Sequence, residues 1–341
     1  TLKWEEAQKL PEGVSFFPAS VSPRFAKVQN QGLDFAHVEN EFVDFDRDRL
    51  TYHMFSTEGP AFAKADINGD GLDDLFFGGA KTYPGKIYLA QPNGKFVEKA
   101  QPDLVADALS EDTDAAFFDA DGDGDQDVFV TGYHENIAVA RLYSNDGTGI
   151  LTEVQGTPFE GVSVGSSAFA DIDGDGDDDL LVTGYTNNNQ RISKLYKNNG
   201  SGVFSEVHGT PFDPVSFSTV TFTDIDSDND QDVLITGYNN SNQRIAKLFM
   251  NDGTGTFSLA GGIPFEGVSF GAVAFADINN DGHKDVLITG ENTAEQPIAK
   301  LYVNNGFGSF TELTGLPFEG VYNSAVAFAD IDNDGDQDVI I

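Results

Sequence analysis

Six acidic loops of one pattern recur along the chain, and their side chains could bind metal ions. The third loop reads "DIDGDGDDDL" over residues 171–180. In all six loops, positions 1, 3, 5 and 9 are aspartate or asparagine, and position 6 is glycine in five of them. Calcium takes about six to eight oxygen ligands, which alternate side chains of a tight loop and a backbone carbonyl at position 7 can supply. The spacing therefore predicts about six calcium ions, one in each loop.

Glycine at position 6 permits the positive φ that so sharp a turn requires. Asn229 replaces it in the fourth loop, and asparagine is among the few other residues that adopt this conformation readily, so we expect that site to survive. The predicted ligands at positions 1, 3, 5, 7 and 9 are Asp66, Asn68, Asp70, Leu72 and Asp74; Asp119, Asp121, Asp123, Asp125 and Asp127; Asp171, Asp173, Asp175, Asp177 and Asp179; Asp224, Asp226, Asp228, Asp230 and Asp232; Asp277, Asn279, Asp281, His283 and Asp285; and Asp330, Asp332, Asp334, Asp336 and Asp338.

Three other interpretations of these loops fit less well. An EF-hand needs a bidentate glutamate at position 12 and flanking helices, whereas position 12 of the third loop is Val182, within a strand-like run. Magnesium prefers a rigid octahedron with several waters, which suits an all-protein oxygen cage less well than calcium does. Ordinary polar turns would need only one or two such residues, so six copies with one internal spacing disfavour them.

The elements that must position these loops are short strands. In the third copy, residues 166–172 alternate small or polar with apolar residues, and residues 179–185 are mostly apolar, as in a strand buried on both faces. Residues 191–198 alternate again, and residues 203–208 form a fourth candidate strand after a glycine-containing turn. No segment shows ten residues of helical periodicity.

The loops begin 52 or 53 residues apart, which indicates one structural unit repeated over residues 61–341. Four short strands per unit predict an all-β fold, a β-propeller of six four-stranded blades, with seven blades as the alternative. We predict that residues 1–60 belong to the same domain as an N-terminal segment with closing strands and a capping insertion. Residues 25–39 resemble the third and fourth strands of a unit, so we expect them to pair with the strand ending at Ile341 and close the ring.

Composition narrows the partners. A formal net charge of −37 argues against nucleic acid and against an anionic membrane surface, because a phosphate backbone needs lysine and arginine. No run of 18 apolar residues occurs, so we expect no direct membrane insertion. The chain has no cysteine, so metal ions rather than disulfides would have to staple the fold.

The loop pattern, in a repeat of this length, resembles the FG-GAP/VCBS-type calcium-binding repeats of integrin α-subunit propellers and of bacterial secreted surface proteins. The first unit even reads "FFGGA" at residues 76–80, and the resemblance covers about residues 60–341. It implies an extracellular, secreted or cell-surface propeller that binds proteins or glycans in adhesion, usually without catalysis. It also allows the chain to be part of a larger surface protein.

The face opposite the metal loops is where we expect a ligand. Each blade's second and third strands are joined there by a hairpin whose sequence varies between units, for example "YTNNNQR" and "YNNSNQR". Amide side chains beside an aromatic ring suit sugar hydroxyls and protein backbones alike, although ordinary polar hairpin tips are an equal alternative. The candidate ligand-binding residues are Tyr133, Tyr185, Asn187, Asn189, Tyr238, Asn240 and Asn242.

Enzymatic activity is the weaker hypothesis. The five histidines are scattered, no Gly-x-Ser-x-Gly motif occurs, and the densest carboxylates are assigned to metal. The acidic and basic residues at 43–53 lie outside the repeat, and we interpret them as a capping insertion rather than as an active site. A structural spacer in a larger surface assembly and a polysaccharide lyase or hydrolase remain the alternatives to a binding module.

Overall fold

Residues 32–36, 38, 60–134, 137–331 and 335–341 are described by the computed structural model. Within them, the first unit contains β1 (Phe62–Ala65), β2 (Asp74–Phe77), β3 (Lys86–Ala90) and β4 (Phe96–Lys99), and a short helix, α1 (Pro102–Ala106), follows it. The second unit contains β5 (Ser110–Phe118), β6 (Asp127–His134), β7 (Ile137–Asn145) and β8 (Leu151–Glu153).

The later units repeat this order. The third contains β9 (Val162–Ala170), β10 (Asp179–Thr186), β11 (Arg191–Lys197) and β12 (Ser205–Val207), and the fourth contains β13 (Val215–Thr223), β14 (Asp232–Asn239), β15 (Arg244–Asn251) and β16 (Phe257–Leu259). The fifth contains β17 (Val268–Ser269), β18 (Val273–Ala276), β19 (Asp285–Asn292), β20 (Pro297–Asn304) and β21 (Phe310–Leu313), and β22 (Ala327–Ala329) and β23 (Asp338–Ile340) begin the sixth. The predicted all-β fold is confirmed, and each of the first four units contains the four strands expected.

Within each unit, strands pair antiparallel with their sequence neighbours, except that β17 and β18 of the fifth unit both pair with β19. A single backbone pair joins consecutive units at three junctions: Ile192 with Val215, Ile245 with Val268 and Ile298 with Val321. The first two connect the third, fourth and fifth units into one sheet, whereas the strands of the first, second and sixth units form separate sheets. The described strands form no closed sheet, so the number of blades stays a prediction.

The core lies between consecutive units. In β10, Leu180, Leu181 and Val182 are all completely buried, which explains why this run is apolar on both faces. Leu180 packs in one cluster with Phe118 of the second unit, while Leu181 packs in another with Val233 of the fourth. Each unit therefore contributes one face to each of two interfaces, as blades of a propeller do.

The first strands of successive units lie side by side. Phe270 donates its backbone N–H to the carbonyl of Phe217 at 3.1 Å, and Asn323 donates to the carbonyl of Phe270 at 2.6 Å. These residues and Val164 occupy the same position of their units and have φ between 44° and 54°. Valine and phenylalanine rarely adopt positive φ, so contacts between the strands must hold this bulge in place.

Part of the N-terminal segment contacts the first unit. The Tyr88 hydroxyl donates to Asp34 Oδ1 at 2.9 Å, and the ring of Phe35 stacks on Phe77 with centroids 4.5 Å apart. The pairing predicted for residues 25–39 falls mainly on residues outside the described part, as does the insertion at 43–53. Ring closure by the two ends of the chain therefore stays a prediction.

Candidate metal centres

Position 9 anchors each loop to the rest of its unit. In the third loop, Asp179 accepts the backbone N–H of Ile172 at 3.3 Å and that of Asn198, just after β11, at 2.7 Å. A carboxylate has about four lone-pair sites, so Asp179 can accept both bonds and still offer an oxygen to a cation. The equivalent aspartates accept the same pair of backbone bonds in four other loops: Asp74, Asp127, Asp232 and Asp285. Asp338 accepts the first of them.

Position 1 closes the loop. Asp119 Oδ1 accepts the N–H of Gly122 at 2.8 Å, and its Oδ2 accepts the N–H of Gly124 at 3.0 Å. The bond to the N–H of position 6 recurs at Asp66, Asp171, Asp224, Asp277 and Asp330. In the fourth loop the donor is Asn229, whose φ of 74° is the left-handed conformation expected of it.

Carboxylates from positions 1, 3 and 9 converge in three loops. One oxygen from each of Asp171, Asp173 and Asp179 lies within 4.8 Å of the other two. The same holds for Asp119, Asp121 and Asp127 and for Asp224, Asp226 and Asp232. Three such groups could hold a metal ion, and oxygen-only ligands suit calcium.

The position 3 oxygens give an independent indication of a cation. Asp121 Oδ1, Asp173 Oδ1 and Asp226 Oδ1 are buried without a hydrogen-bond partner among the described residues. A buried carboxylate oxygen without a partner costs free energy that a bound cation would offset. The residues of these three loops therefore fit a bound calcium ion.

The pKa values of the position 9 aspartates are raised, first by burial and then by neighbouring carboxylates. Burial raises the pKa of Asp127 to about 6, that of Asp179 to about 6 and that of Asp232 to about 7, although two backbone hydrogen bonds to each oppose the shift. Other carboxylates of the same loop raise these pKa values further. Burial also raises the pKa of Asp74 and Asp285. A cation in the loop would favour the charged forms.

Positions 5 and 7 shape the turn. Asp175 at position 5 accepts the N–H of Asp177 at position 7, at 3.2 Å, and the same bond recurs at Asp70, Asp123, Asp228 and Asp281. The Asp177 carboxylate lies against Gly200, where any Cβ would collide with it, and Asp125, Asp230 and His283 lie against the corresponding glycines. Because these side chains lie against the glycines, we predict that position 7 binds the metal through its backbone carbonyl.

The remaining loops differ in detail. Position 3 is an amide in the first and fifth loops, where Asn68 Oδ1 and Asn279 Oδ1 accept the N–H of position 5 at 3.0 Å and 2.9 Å. In the sixth loop, Asp332 and Asp334 lie outside the described residues. Leu72 and Asp336 occupy position 7 of the first and sixth loops. Six metal sites therefore stay a prediction, of which three are supported by converging carboxylates.

The sequence reasoning missed an asparagine that joins each of the first four metal loops to the next unit. Asn251 Nδ2 donates to the carbonyl of Ile172, position 2 of the preceding unit's loop, at 2.7 Å, and to the Gln231 carbonyl at 3.3 Å. Asn145, Asn198 and Asn304 make the same contact with the preceding loop. A signal was present, because these asparagines also recur every 53 residues.

The third loop also contains a lysine from its own unit. Lys197 Nζ forms an ion pair with Asp173 and lies 3.7 Å from Asp175 Oδ2. Ser144, Met250 and Val303 occupy this position in the second, fourth and fifth units. Among these four units, the third is therefore the one in which the residue at this position supplies positive charge to the loop.

At the opposite end of the units, the structure brings two predicted tyrosines together. The guanidinium of Arg191 lies 4.9 Å from the ring centroid of Tyr185 and 5.2 Å from that of Tyr238. Arg244 lies 5.4 Å from the Tyr238 centroid and forms an ion pair with Glu291. Tyrosine and arginine thus alternate across the third and fourth units, and Glu291 of the fifth unit pairs with the second arginine.

The predicted asparagines have different roles. Asn187 is committed to structure, because its amide accepts from the Ala138 N–H at 2.7 Å and donates to the Ala138 carbonyl at 3.0 Å. Asn189 and Asn242 adopt φ of 56° and 55° at the hairpin turns, and their side chains are exposed, as is that of Asn240. Tyr133 is half-buried at the end of β6, and the hairpin that follows it lies partly outside the described residues.

One polar cluster superficially resembles a catalytic triad. Ser110 Oγ lies 3.0 Å from His134 Nδ1, and Asp107 Oδ1 lies 3.2 Å from the same nitrogen. A relay would use the two different ring nitrogens, so this geometry does not activate the serine. Arg141 forms an ion pair with Asp107 and completes a structural network.

No helix in the described part is long and apolar enough to span a membrane. No curated protein matches the chain by sequence. A solved lectin from Agrocybe aegerita, described as specifically recognising non-reducing terminal N-acetylglucosamine, is 18% identical with a TM-score of 0.60, over 83% of this chain and 74% of the lectin. The likeness shows a shared fold.

Two further solved structures are more distant. AofleA from Arthrobotrys oligospora is 11% identical with a TM-score of 0.44, over 79% of this chain and 74% of AofleA. A Bifidobacterium bifidum s17 protein assigned as an exo-β-1,3-galactanase is 12% identical with a TM-score of 0.39, over 75% of this chain and 92% of its own.

The family model described as "FG-GAP-like repeat" matches five overlapping segments, residues 66–130, 119–182, 171–235, 224–288 and 277–341. Each segment begins at position 1 of an acidic loop and ends within or near the second strand of the following unit. The resemblance seen in the sequence is thereby confirmed. With the repeats covering residues 66–341, this chain belongs to the FG-GAP-like repeat family.

Proposed function

We propose that this protein is a calcium-stabilised β-propeller that binds a glycan or protein partner on the face opposite its metal loops. The observation that carries the proposal is the contrast between the two ends of each unit. The loop end repeats almost unchanged, whereas the hairpin end varies and carries exposed asparagine beside half-buried tyrosine and arginine. A fixed scaffold with a variable surface is typical of binding modules.

Calcium would act in the proposal as a structural staple. The unpartnered position 3 oxygens and the converging carboxylates support an ion in each of the second, third and fourth loops, and the shared loop pattern extends the proposal to about six ions. A site held at about 100 times its dissociation constant would stabilise the fold by about 2.7 kcal/mol. Extracellular calcium modules work at dissociation constants of about 10⁻⁴ to 10⁻³ M, so we propose a secreted or cell-surface location.

We propose six blades, with the sixth completed by the N-terminal segment. The sixth unit has two strands in the described part, and an open sheet edge favours aggregation. A seventh blade is the alternative. Circular dichroism and size-exclusion chromatography of a variant lacking residues 1–40 test closure, because an unchanged melting temperature and a monomeric profile would contradict it.

A glycan is the partner that the exposed face fits best. Aromatic rings provide apolar surface for a sugar ring, while amides and phenol hydroxyls provide hydrogen bonds. The Agrocybe aegerita lectin shares the fold at 18% identity and is described as recognising a sugar, which adds support without transferring its ligand to this chain.

A glycan array and a pull-down of extracellular proteins, each performed with calcium, test the proposed binding. Replacing Asn189 and Asn242 with glycine removes two amides but keeps the left-handed turns, so binding should weaken while the melting temperature stays constant. The matched control is Asp175→Ala on the metal face, which should lower the melting temperature and leave binding intact below that temperature. If no glycan or protein binds, a structural spacer becomes the better interpretation, and turnover of a polysaccharide would favour an enzyme.

A further inference from the structure

Arg191 is the one arginine in the described part of the chain that has no carboxylate partner. The other two arginines there are paired, Arg141 with Asp107 and Arg244 with Glu291. A guanidinium without a counter-ion is unexpected in a protein with a formal net charge of −37. The position of Arg191 on the proposed binding face suggests that its partner comes from outside.

The Arg191 side chain is held in a fixed orientation. Its Nε donates to Ser216 Oγ at 3.0 Å, and Ser216 is completely buried. The tyrosine rings at 4.9 Å and 5.2 Å fix its position further. A guanidinium has five N–H donors, so four of them have no acceptor among the described residues. The hydroxyls of Tyr185 and Tyr238 also make no hydrogen bond there.

The neighbouring unit shows what such an arginine binds. Arg244 has the same surroundings as Arg191, because its Nε donates to the buried Ser269 hydroxyl at 3.0 Å and it lies on Tyr238. Glu291, one repeat after Tyr238, gives Arg244 its carboxylate. Tyr238 stands in the same position relative to Arg191 as Glu291 does relative to Arg244, so Arg191 has a tyrosine there instead of a carboxylate. The Arg244–Glu291 pair is therefore an internal example of the contact that Arg191 can offer to a ligand.

We propose that Arg191 binds the single carboxylate of a uronic-acid-type sugar at the end of a glycan. The inference rests on the proposed glycan-binding function and specifies its ligand. A fork of N–H donors matches a carboxylate, and the hydroxyls of the two adjacent tyrosines suit the hydroxyls of the same sugar. The high negative charge of the protein disfavours a polyanion with a carboxylate on every sugar, so we expect a glycan with one isolated carboxylate.

The test compares two probes that differ only at C6, 4-nitrophenyl β-D-glucuronide and 4-nitrophenyl β-D-glucoside. Both are titrated, with calcium present, into the full-length protein and its Arg191→Gln and Arg191→Lys variants, and binding is followed by NMR chemical shifts. We expect the glucuronide to bind at least about tenfold more tightly than the glucoside, because a charge-assisted hydrogen bond to a preorganised arginine distinguishes them. Arg191→Gln should abolish that preference, and Arg191→Lys should restore it only in part.

A matched control is Glu291→Gln, which frees Arg244 and should create a second glucuronide site. Melting temperatures show that each variant is folded. Equal affinity for the two probes, or a preference that survives in Arg191→Gln, would overturn the inference while leaving a neutral-glycan module intact. Binding of an acidic peptide but of neither sugar would overturn the sugar ligand. Failure of every glycan on an array would overturn both this inference and the proposed glycan-binding function.

Discussion

Replacing Asn251 with alanine should weaken calcium binding in the loop of the preceding unit. Asn251 lies at the end of β15 in the fourth unit, but its amide holds the carbonyl of Ile172 in the third loop at 2.7 Å. Its own loop depends on Asp232, which accepts the backbone N–H of Asn251 at 2.8 Å. Alanine keeps that backbone bond, as Ala90 does with Asp74 in the first unit.

The size of the effect follows from the bonds removed. The substitution breaks the contacts of Nδ2 with the Ile172 carbonyl and, at 3.3 Å, with the Gln231 carbonyl. A buried acceptor left without a partner costs about 1–3 kcal/mol. If about 1–2 kcal/mol of this cost falls on the metal-binding conformation of the third loop, calcium affinity there decreases about 5- to 30-fold.

Selective ¹⁵N-glycine labelling gives one reporter in the third loop and one in the second. The N–H of Gly176 donates to Asp171 in the third loop at 3.0 Å, and that of Gly124 donates to Asp119 in the second loop at 3.0 Å. Calcium titrations of Asn251→Ala should show weaker binding at Gly176 and unchanged binding at Gly124.

The matched control variant is Asn198→Ala, because Asn198 holds the second loop through the Ala120 carbonyl at 2.9 Å. It should weaken binding at Gly124 and spare Gly176. Equal effects at both reporters in either variant, or an effect confined to the mutated unit's own loop, would refute the idea that each metal loop is held by the following unit.

Three further predictions concern charge. Excess chelator should lower the melting temperature measured by circular dichroism, because carboxylates such as Asp173 lose their counter-ion. An unchanged melting temperature would contradict the proposal that calcium stabilises the fold. Lys197→Met, which copies Met250, should raise calcium affinity in the third loop about fivefold, because a half-exposed ammonium that opposes a cation is worth roughly 1 kcal/mol. If a calcium titration shows unchanged affinity, calcium displaces Lys197 without a cost in free energy. Asp112→Asn should stabilise the protein at pH 8 by up to about 4 kcal/mol and have little effect near pH 4. Burial raises the pKa of Asp112 from 3.8 to about 7, so the folded state loses stability as pH rises through that range, and urea unfolding at the two pH values measures the difference.

The unit and its metal loops could be predicted from the sequence because both depend on local, repeated chemistry. An acidic loop of fixed internal spacing needs only its own backbone to form, as the bonds from Gly122 and Gly124 to Asp119 show. The mostly apolar run at 179–185 likewise predicts a strand buried on both faces, and the structure buries it so. Six copies then distinguish a structural unit from an accidental turn.

Contacts between units were harder to predict because they pair residues that are far apart in the chain. The Asn251 amide and the Ile172 carbonyl are 79 residues apart, and the backbone carbonyl gives no signal in the sequence. Asn187 shows the same difficulty, since its pattern suited a ligand but its amide binds Ala138 of the neighbouring unit. The stacking of Arg191 between tyrosines of two units became visible only when the hairpins were placed side by side.

One buried strand connects the candidate metal loop of the third unit to the proposed ligand-binding hairpin. Strand β10 begins at Asp179, whose carboxylate faces the metal loop, and carries Tyr185 six residues later at the opposite face. At about 3.3 Å per residue, these positions are roughly 20 Å apart, too far for a calcium ion in the loop to touch a ligand beside Tyr185. Calcium would therefore influence binding by keeping Leu180, Leu181 and Val182 packed between neighbouring units, and the hairpin at the far end is free to vary without disturbing the metal site.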